Sequence, residues 1–317
     1  MYNIGVDLGG TNIAAAVIND AGKILVKGST PTMNDRSYEA IIADMAKLCK
    51  ELIKEANLEV EQIHSVGIGS PGTPDPINGV IVYANNLNFK NTPIRTEFQK
   101  HLDLPVYIEN DANVAAFGEY ESGAGKLYKD LIAITLGTGV GGGIIIDHKI
   151  VGGSWNGGAE LGHMVIKSGG VQCTCGRKGC WERYSSATGL IREAKLAALS
   201  NPDSLLSKMI DGELDKMNAK IPFDAAQEGD HIAMNVIDNY INDLATGLTN
   251  IINIFQPEII VLGGGVSAQR DHLLVPLRER IAKEVYGGEA LLKTKIEVAQ
   301  LGNDAGIIGA GMLYKLA

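Results

Sequence analysis

The sequence lacks several features that would place it in a simple class of protein. No stretch approaches the roughly 18 apolar residues of a membrane span, and no basic and apolar leader precedes the first strand-like segment. Basic residues are not in excess, since 28 Lys and Arg stand against 37 Asp and Glu, a formal net charge of -9. We therefore expect a cytoplasmic protein that binds neither a membrane nor a nucleic acid.

Cysteine is scarce, and its distribution argues against a disulfide framework. Of the four cysteines, Cys173, Cys175 and Cys180 lie within eight residues of one another, whereas Cys49 is far away in sequence. Cysteines that are so close together in a protein of a reducing compartment are typical of metal ligands.

Glycine, in contrast, is abundant. The chain contains 39 glycines among 317 residues, about 12%, where roughly 7% is usual. No three-residue period and no Gly/Ser tract is present, which excludes collagen and a flexible linker. The glycines form short clusters after apolar runs, and this arrangement predicts tight turns where the backbone approaches a ligand.

The apolar pattern predicts an α/β protein of about two domains, in which one structural plan occurs twice. A strand that ends in a glycine turn and leads into a second strand begins each half, about 130 residues apart. The predicted strands are 2–6, 14–18, 23–28, 66–69, 105–108, 131–136, 144–147, 149–151 and 258–262, with 71–76 a loop. The predicted helices are 37–57, 92–102, most of 186–256, and 305–316.

The first glycine turn is the sequence DLGGTN, which runs from Asp7 to Asn12. Gly9 and Gly10 would allow backbone N–H groups to approach phosphate oxygens without a charged side chain. Thr11 adds a hydroxyl group, and Asp7 could organise Mg²⁺ through water. An ordinary hairpin turn is the alternative interpretation.

The second glycine turn is LGTGVGGG at residues 136–143. Thr138 and the amides of Gly137 and Gly139 could hold the β- and γ-phosphates of a nucleotide, although a structural turn remains the alternative. Because two such turns occur at matching places in two similar halves, each one strengthens the interpretation of the other as a phosphate site. Neither is a Walker A loop, because no GK[ST] sequence follows the glycines.

A metal site is predicted from the residues alone. His163, Cys173, Cys175 and Cys180 are separated by ten, two and five positions. They supply the three thiolates and one imidazole of a closed tetrahedral Zn²⁺ site, which is typical of a structural ion. A set of free thiols on a surface loop is the alternative.

Several motifs together resemble the ROK family of bacterial sugar kinases, within the actin, Hsp70 and hexokinase superfamily, and most closely its ATP-dependent glucokinases. The motifs are DLGGTN, GIGSPGTPD at 67–75, ENDANVAA at 109–116, LGTGVGGG, AELGH at 159–163, CTCGRKGCWE at 173–182 and VLGGGVS at 261–267. The resemblance implies a two-lobed actin/hexokinase-like (ribonuclease H-like) α/β fold with a cleft between the lobes. The N-terminal lobe would comprise 1–118 plus about 302–317, and the C-terminal lobe 119–301, with a zinc loop at 160–182.

The same resemblance implies a set of roles for individual residues. Asp111, which follows a predicted strand, would be the general base that accepts the proton of a sugar hydroxyl, although a helix N-cap is the alternative. Glu109 would be structural. The implied sugar ligands are Asn86, Asn110, Asp111, Glu160, His163 and Glu182. ATP would contact Asp7, Gly9, Gly10, Thr11, Asn12, Gly137, Thr138 and Gly139, with Gly264 and Gly265 on its adenosine side.

Activity and partners follow from the resemblance. We expect transfer of a phosphoryl group from ATP to the 6-hydroxyl of glucose, with Mg²⁺ and a structural Zn²⁺, in a dimer or tetramer. Loss of the metal should lower mainly the affinity for sugar and catalysis. Nucleotide binding should survive better, because the phosphate turns lie elsewhere. The alternatives are a ROK kinase for mannose, fructose, N-acetylmannosamine or N-acetylglucosamine, a sugar-responsive transcriptional regulator, and a sugar-binding protein without catalysis.

Overall fold

A computed structural model describes all residues, Met1–Ala317, as two compact units. The first unit comprises 1–133, 143–159 and 300–317, and the second comprises 134–142 and 160–299. The strands are β1 Tyr2–Leu8, β2 Asn12–Asn19, β3 Ile24–Pro31, β4 Ile63–Ser70, β5 Thr73–Asp75, β6 Val80–Ala84, β7 Phe89–Thr92, β8 Val106–Asn110, β9 Leu131–Leu136, β10 Val140–Ile146, β11 Lys149–Ile150, β12 Ile259–Gly263 and β13 Lys295–Val298. The helices are α1 Tyr38–Glu55, α2 Ile94–Gln99, α3 Asp111–Ser122, α4 Glu182–Ser185, α5 Ala187–Ser200, α6 Leu205–Lys208, α7 Ile221–Gln227, α8 His231–Phe255, α9 Asp271–Glu284 and α10 Ala305–Gly311. None of these helices is long and apolar enough to cross a membrane.

The main sheet of the first unit positions the predicted base. Its strand order is β3-β2-β1-β4-β8, with β1 antiparallel to β2 and parallel to β4, which is parallel to β8. The register places Asp7 beside Gly69 and Gly69 beside Glu109. The carboxyl ends of these three parallel strands therefore meet at one edge, where open α/β sheets place their ligands.

A second five-stranded sheet has the order β11-β10-β9-β12-β13, which repeats the pattern of the first. The hairpin of β10 with β11 is antiparallel, and β12 pairs with β13 in parallel. The chain passes from one unit to the other within β9 and again within β10. The mixed α/β architecture predicted from the sequence is confirmed.

A small antiparallel sheet, β5-β6-β7, was not predicted. The supposed loop at 71–76 contains β5, and the helix expected at 92–102 is confined to α2 at Ile94–Gln99. These strands have three to five residues, and Pro74 lies within β5. Segments that short do not show a clear two-residue period, and proline argues against a strand.

The helices of the first unit cover its main sheet. Helix α1 starts after Ser37, whose side chain accepts a hydrogen bond from the N–H of Ala40 at 3.4 Å, and its apolar face enters the core. Helices α3 and α10 pack so closely that a Cβ on Gly309 would overlap the carbonyl of Val114. Helix α3 is unbroken to Ser122, so the lobe boundary expected after residue 118 would fall inside a helix. The first unit also includes 119–133 and 143–159, which were expected in the C-terminal lobe.

Candidate functional site

The first glycine turn is the connection of the β1–β2 hairpin. The N–H of Gly9 donates to the carbonyl of Asn12 at 3.0 Å, and the hydroxyl of Thr32 donates to the carbonyl of Gly9 at 2.6 Å. Thr11 and Asn12 are exposed to solvent. The turn is therefore a real hairpin, and it also presents polar groups that a ligand can reach.

Asn86 lies against this turn. A Cβ on Gly10 would lie 3.0 Å from the carbonyl oxygen of Asn86, which also accepts a hydrogen bond from the amide of Asn34 at 2.8 Å. The close approach means that a side chain at position 10 would press on Asn86 as well as on any ligand.

The N-terminus of α3 carries the predicted base. Asn110, and not Asp111, is the N-cap, because its Oδ1 accepts from the N–H groups of Ala112 and Asn113 at 2.9 and 3.3 Å. Asp111 is the first residue of the helix, and its Oδ1 accepts from Ala112 at 2.8 Å. The cap is therefore supplied by a neighbour, and the carboxyl of Asp111 stays available at the surface.

Further hydrogen bonds fix this helix end. Glu109 accepts hydrogen bonds from the N–H of Asn110 at 2.8 Å and from the amide of Asn113 at 3.0 Å, which fits a structural role. The amide of Asn110 donates to the carbonyl of Gly72 at 3.0 Å. The side chain of Asn110 also hydrogen-bonds to the carboxyl of Asp111, a contact that acts to lower the pKa of Asp111.

The carboxyl groups of Asp7 and Asp111 both have raised pKa values. Burial is the larger cause for Asp7, and the negative charge of Asp111 adds to it. For Asp111, desolvation by the surrounding protein raises the pKa, and the N–H of Ala112 acts in the opposite direction. The side chain of Asp111 is nevertheless exposed, so this desolvation is partial. A raised pKa makes a carboxylate a stronger base.

The second glycine turn is held from one side by the start of α5. The N–H of Ala187 donates to the carbonyl of Gly137, and the hydroxyl of Thr188 donates to the carbonyl of Thr138, each at 2.8 Å. A Cβ on Gly137 would meet no protein atom within 4 Å. The open side of the turn can therefore receive a ligand.

Glu182 supports the same turn from its other end. Its Oε2 accepts a hydrogen bond from the N–H of Val140 at 3.1 Å, and a Cβ on Gly139 would overlap that oxygen. Its Oε1 lies 3.9 Å from the sulfur of Cys173. The expectation that the phosphate turns lie apart from the metal loop is therefore wrong for the second turn, because Glu182 touches both.

The four predicted metal ligands are gathered at one point. The donor atoms of His163, Cys173, Cys175 and Cys180 all lie within 4.8 Å of one another. The sulfurs of Cys175 and Cys180 are 3.6 Å apart, and the sulfur of Cys173 is 3.7 Å from Nδ1 of His163. Zn–S bonds of about 2.3 Å in a tetrahedron place the sulfurs about 3.7 Å apart, so these residues fit Zn²⁺.

The thiol chemistry of the cluster favours a cation. Burial raises the pKa of Cys180 to about 12, and the sulfurs of Cys175 and Cys173 add to the effect. Packing three thiolates together is therefore costly unless a positive ion compensates their charge. A bound divalent cation would remove that cost.

The metal loop is fastened to α8 by Trp181, which is fully buried. The indole N–H donates to the carbonyl of Asp243 at 3.0 Å, and the ring fills a space that a Cβ on Gly247 would occupy. Lys167 forms an ion pair with Asp243 at 2.7 Å. Trp181 lies directly between Cys180 and Glu182 in the chain, so this anchor fixes both.

The remaining predicted ligands belong to the second unit. Glu160 is exposed, and its carbonyl accepts from the N–H of His163 at 3.0 Å. His163 directs Nδ1 to Cys173, which leaves Nε2 for another partner. Gly264 has a φ of 84°, and a Cβ there would overlap Leu136, whereas Gly265 faces open space.

The predicted site residues thus fall into two groups, one in each unit. The first group is Asp7, Gly9, Gly10, Thr11, Asn12, Asn86, Asn110 and Asp111. The second is Gly137, Thr138, Gly139, Glu160, His163, Cys173, Cys175, Cys180, Glu182, Gly264 and Gly265. Sequence reasoning missed Ala187 and Thr188, and only Ser186, which caps α5 by accepting from the N–H of Gly189 at 3.0 Å, marks the place in the sequence.

Comparison with known proteins identifies similar chains over nearly the whole length. The family model described as ROK family matches residues 3–317. A glucokinase of Thermotoga maritima is 37% identical over 98% of this chain and 96% of its own length, and one of Streptomyces coelicolor is 36% identical over 98% and 97%. The crystal structure of a ROK family glucokinase from Streptomyces griseus, in complex with glucose and AMPPNP, has a TM-score of 0.80 at 35% identity and full coverage of both chains.

Proposed function

Because the chain belongs to the ROK family, we propose that it is an ATP-dependent glucokinase that phosphorylates the 6-hydroxyl of glucose. The observation that carries this proposal is the exposed carboxyl of Asp111 at the start of α3, in a chain similar to glucokinases over 98% of its length. A similar solved protein was crystallised with glucose and an ATP analogue.

Asp111 acts as the general base in the proposed reaction. The 6-hydroxyl oxygen of the sugar attacks the γ-phosphorus of ATP, and the bond from that phosphorus to the β,γ-bridging oxygen breaks. The hydroxyl proton passes to the carboxylate of Asp111, and ADP leaves with the bridging oxygen. Asp111 is exposed and returns the proton to solvent after the product leaves.

Each glycine turn offers backbone N–H groups that suit the phosphates of the nucleotide. These groups lie near Gly9 to Asn12 in the first unit and near Gly137 to Gly139 in the second, where Gly264 and Gly265 offer backbone to the adenosine. Mg²⁺ neutralises phosphate charge when it is bound, and Asp7 would hold it through water. Burial raises the pKa of Asp7, and a nearby cation would counteract that shift.

The proposed sugar ligands are polar side chains. Asn86 and Asn110 would contribute amides, and Glu160, His163 and Glu182 would contribute groups that hydrogen-bond to hydroxyls. Zn²⁺ held by the Cys₃His cluster would order the loop that carries the last three. A dimer or tetramer stays a prediction from the family resemblance.

A coupled assay of ADP release tests the proposal. Purified protein would be supplied with ATP, Mg²⁺ and, in separate reactions, glucose, mannose, fructose, N-acetylglucosamine and N-acetylmannosamine. The proposal requires the highest kcat/KM with glucose. A higher value with an amino sugar would assign the chain to another kinase of the family, and no turnover with any hexose would reject the activity.

A further inference from the structure

A short segment joins the metal cluster to the second phosphate turn. We call residues 182–188 the linking segment, since they begin just after Trp181 and end in the first turn of α5. The segment is itself ordered, because the N–H of Ser186 donates to the carbonyl of Glu182 at 3.2 Å and its hydroxyl accepts from Gly189. These hydrogen bonds connect the two ends of the segment, which lies between the cluster and the turn.

Three hydrogen bonds connect the linking segment to the turn. Glu182 accepts from the N–H of Val140, and the start of α5 donates to the carbonyls of Gly137 and Thr138. In a trans peptide the C=O of one residue and the N–H of the next point in opposite directions. Fixing these two carbonyls toward α5 therefore directs the N–H groups of Thr138 and Gly139 to the opposite side of the turn, where they can meet an anion.

The other end of the linking segment depends on the cluster. The oxygen Oε1 of Glu182 lies 3.9 Å from the sulfur of Cys173, and Cys180 is two residues away in the chain. The main chain there is held by a hydrogen bond from the N–H of Trp181 to the carbonyl of Met164 at 2.8 Å. Release of the cation would free the side chain of Cys173 and change its contact with the carboxylate of Glu182, while Trp181 keeps the main chain anchored.

We propose that the linking segment couples the Cys₃His cluster to the second phosphate turn, so that metal binding tightens nucleotide binding and nucleotide binding tightens metal binding. Thr188 and Glu182 are the positioning residues of this coupling. The inference rests on the proposed function, because it takes the turn at residues 136–143 as a phosphate site.

Thr188 gives the cleanest test, since it is exposed and none of its hydrogen bonds goes to a metal ligand. Thr188→Val keeps the shape of the side chain and removes the hydroxyl, whereas Thr188→Ser keeps the hydroxyl. Thr246→Val is the matched control, because half-buried Thr246 also donates its hydroxyl to a backbone carbonyl, that of Asn242, at 2.9 Å within α8.

Calorimetric titration with a non-hydrolysable ATP analogue and Mg²⁺ measures how much the Thr188 hydroxyl contributes to nucleotide affinity. Thr188→Val should raise the Kd of the analogue about twofold to fivefold, as expected for one exposed hydrogen bond, with an unchanged Kd for glucose and an unchanged zinc content. Thr188→Ser and Thr246→Val should match the wild type. A Thr188→Val protein with wild-type affinity for the analogue would overturn the role of Thr188.

Competition with a chelator measures the coupling without using activity. The affinity of the wild-type protein for Zn²⁺ would be determined with and without the analogue, in excess Mg²⁺, and should be about fivefold or more tighter with it. By linkage, removal of the metal should weaken analogue binding by the same factor, and Thr188→Val should reduce that factor. Equal zinc affinity in both conditions would overturn the proposal.

Gly137→Ala separates failure of the coupling from failure of the proposed function. Its Cβ would meet no protein atom, so a loss of analogue affinity reports a ligand at the turn. If Gly137→Ala weakens binding while metal removal and Thr188→Val do not, the coupling is wrong and the phosphate site stands. If the wild type does not bind the analogue, both are wrong.

Discussion

Asp7 and Asp111 lie near each other in the first unit, and the negative charge of Asp111 raises the pKa of Asp7. Asp7 is the penultimate residue of β1, and Asp111 begins α3 directly after β8, so two segments that are distant in sequence form one acidic site. Such a pair suits a reaction in which one carboxylate takes a proton and the other organises a cation.

Replacement of the base should abolish turnover and preserve binding. Asp111→Asn keeps an oxygen that can accept the hydrogen bond from Ala112, so the start of α3 should remain intact. We expect kcat to fall by about 10²- to 10⁴-fold, the range for a positioned general base, with glucose affinity roughly unchanged. Steady-state kinetics and calorimetry measure the two quantities, and turnover near the wild-type rate would reject Asp111 as the base.

The acid limb of the pH profile should report the raised pKa of Asp111. A carboxyl whose pKa is raised becomes protonated at a higher pH, and a protonated base cannot accept the sugar proton. As the pH falls, kcat/KM should therefore begin to decline at a higher pH than it would with an ordinary Asp, whose pKa is about 3.9. Asp7→Asn should leave this limb nearly in place, because desolvation is the main cause of the shift of Asp111. If Asp7→Asn shifted the acid limb substantially, desolvation would not be the main cause of the raised pKa of Asp111.

The glycines of the second turn should differ in how they respond to substitution. Gly137→Ala places a methyl group in open space, so a rise of about fivefold or more in the KM for ATP would come from the ligand. Gly139→Val would first displace Glu182, so it should raise the KM for both ATP and glucose. Equal changes in both constants for Gly137→Ala would mean that the turn is structural.

Loss of one thiolate should affect both substrates. Cys175→Ser removes an exposed ligand of the cluster, and purified protein should fall from about one Zn²⁺ per chain to well below one. The KM for glucose should rise because the loop carrying His163 and Glu182 loosens, and the KM for ATP should rise with it. Metal analysis together with kinetics tests this. Fully active, ordered protein without metal would contradict the ligand set.

The anchor of the metal loop should be sensitive to volume. Gly247→Ala would place a methyl group inside the ring of Trp181, and we expect a loss of about 1–3 kcal/mol in the free energy of unfolding. This loss outweighs the gain of about 1 kcal/mol that alanine brings to a helix. Adding Trp181→Phe should recover part of the loss in thermal or urea unfolding. An unchanged stability in Gly247→Ala would show that the ring moves freely.

Much of the fold could be predicted from the sequence because its elements have strong periodic patterns. Helix α1 was expected at 37–57 and is found at Tyr38–Glu55, because its apolar residues recur at spacings of three and four. The sheet β5-β6-β7 was missed since its strands are too short for such a pattern. The division of the chain within β9 and β10 depends on packing, which periodicity does not report.

The candidate site shows the same limit. The metal ligands could be predicted because their spacing in the sequence is itself diagnostic, and the structure brings their donor atoms within 4.8 Å. The contact of Glu182 with Val140 joins residues 42 positions apart and has no sequence signal. Thr188 was missed for the same reason, since its hydroxyl reaches Thr138 only through the fold.

The most direct test of the central claim is the rate of glucose-dependent ADP release by the wild-type protein, measured beside Asp111→Asn with ATP and Mg²⁺. The account predicts turnover that requires both glucose and ATP, yields glucose 6-phosphate, exceeds that with every other hexose, and falls by about 10²-fold or more in Asp111→Asn. ADP release that is independent of glucose, or equal in the two proteins, would contradict it.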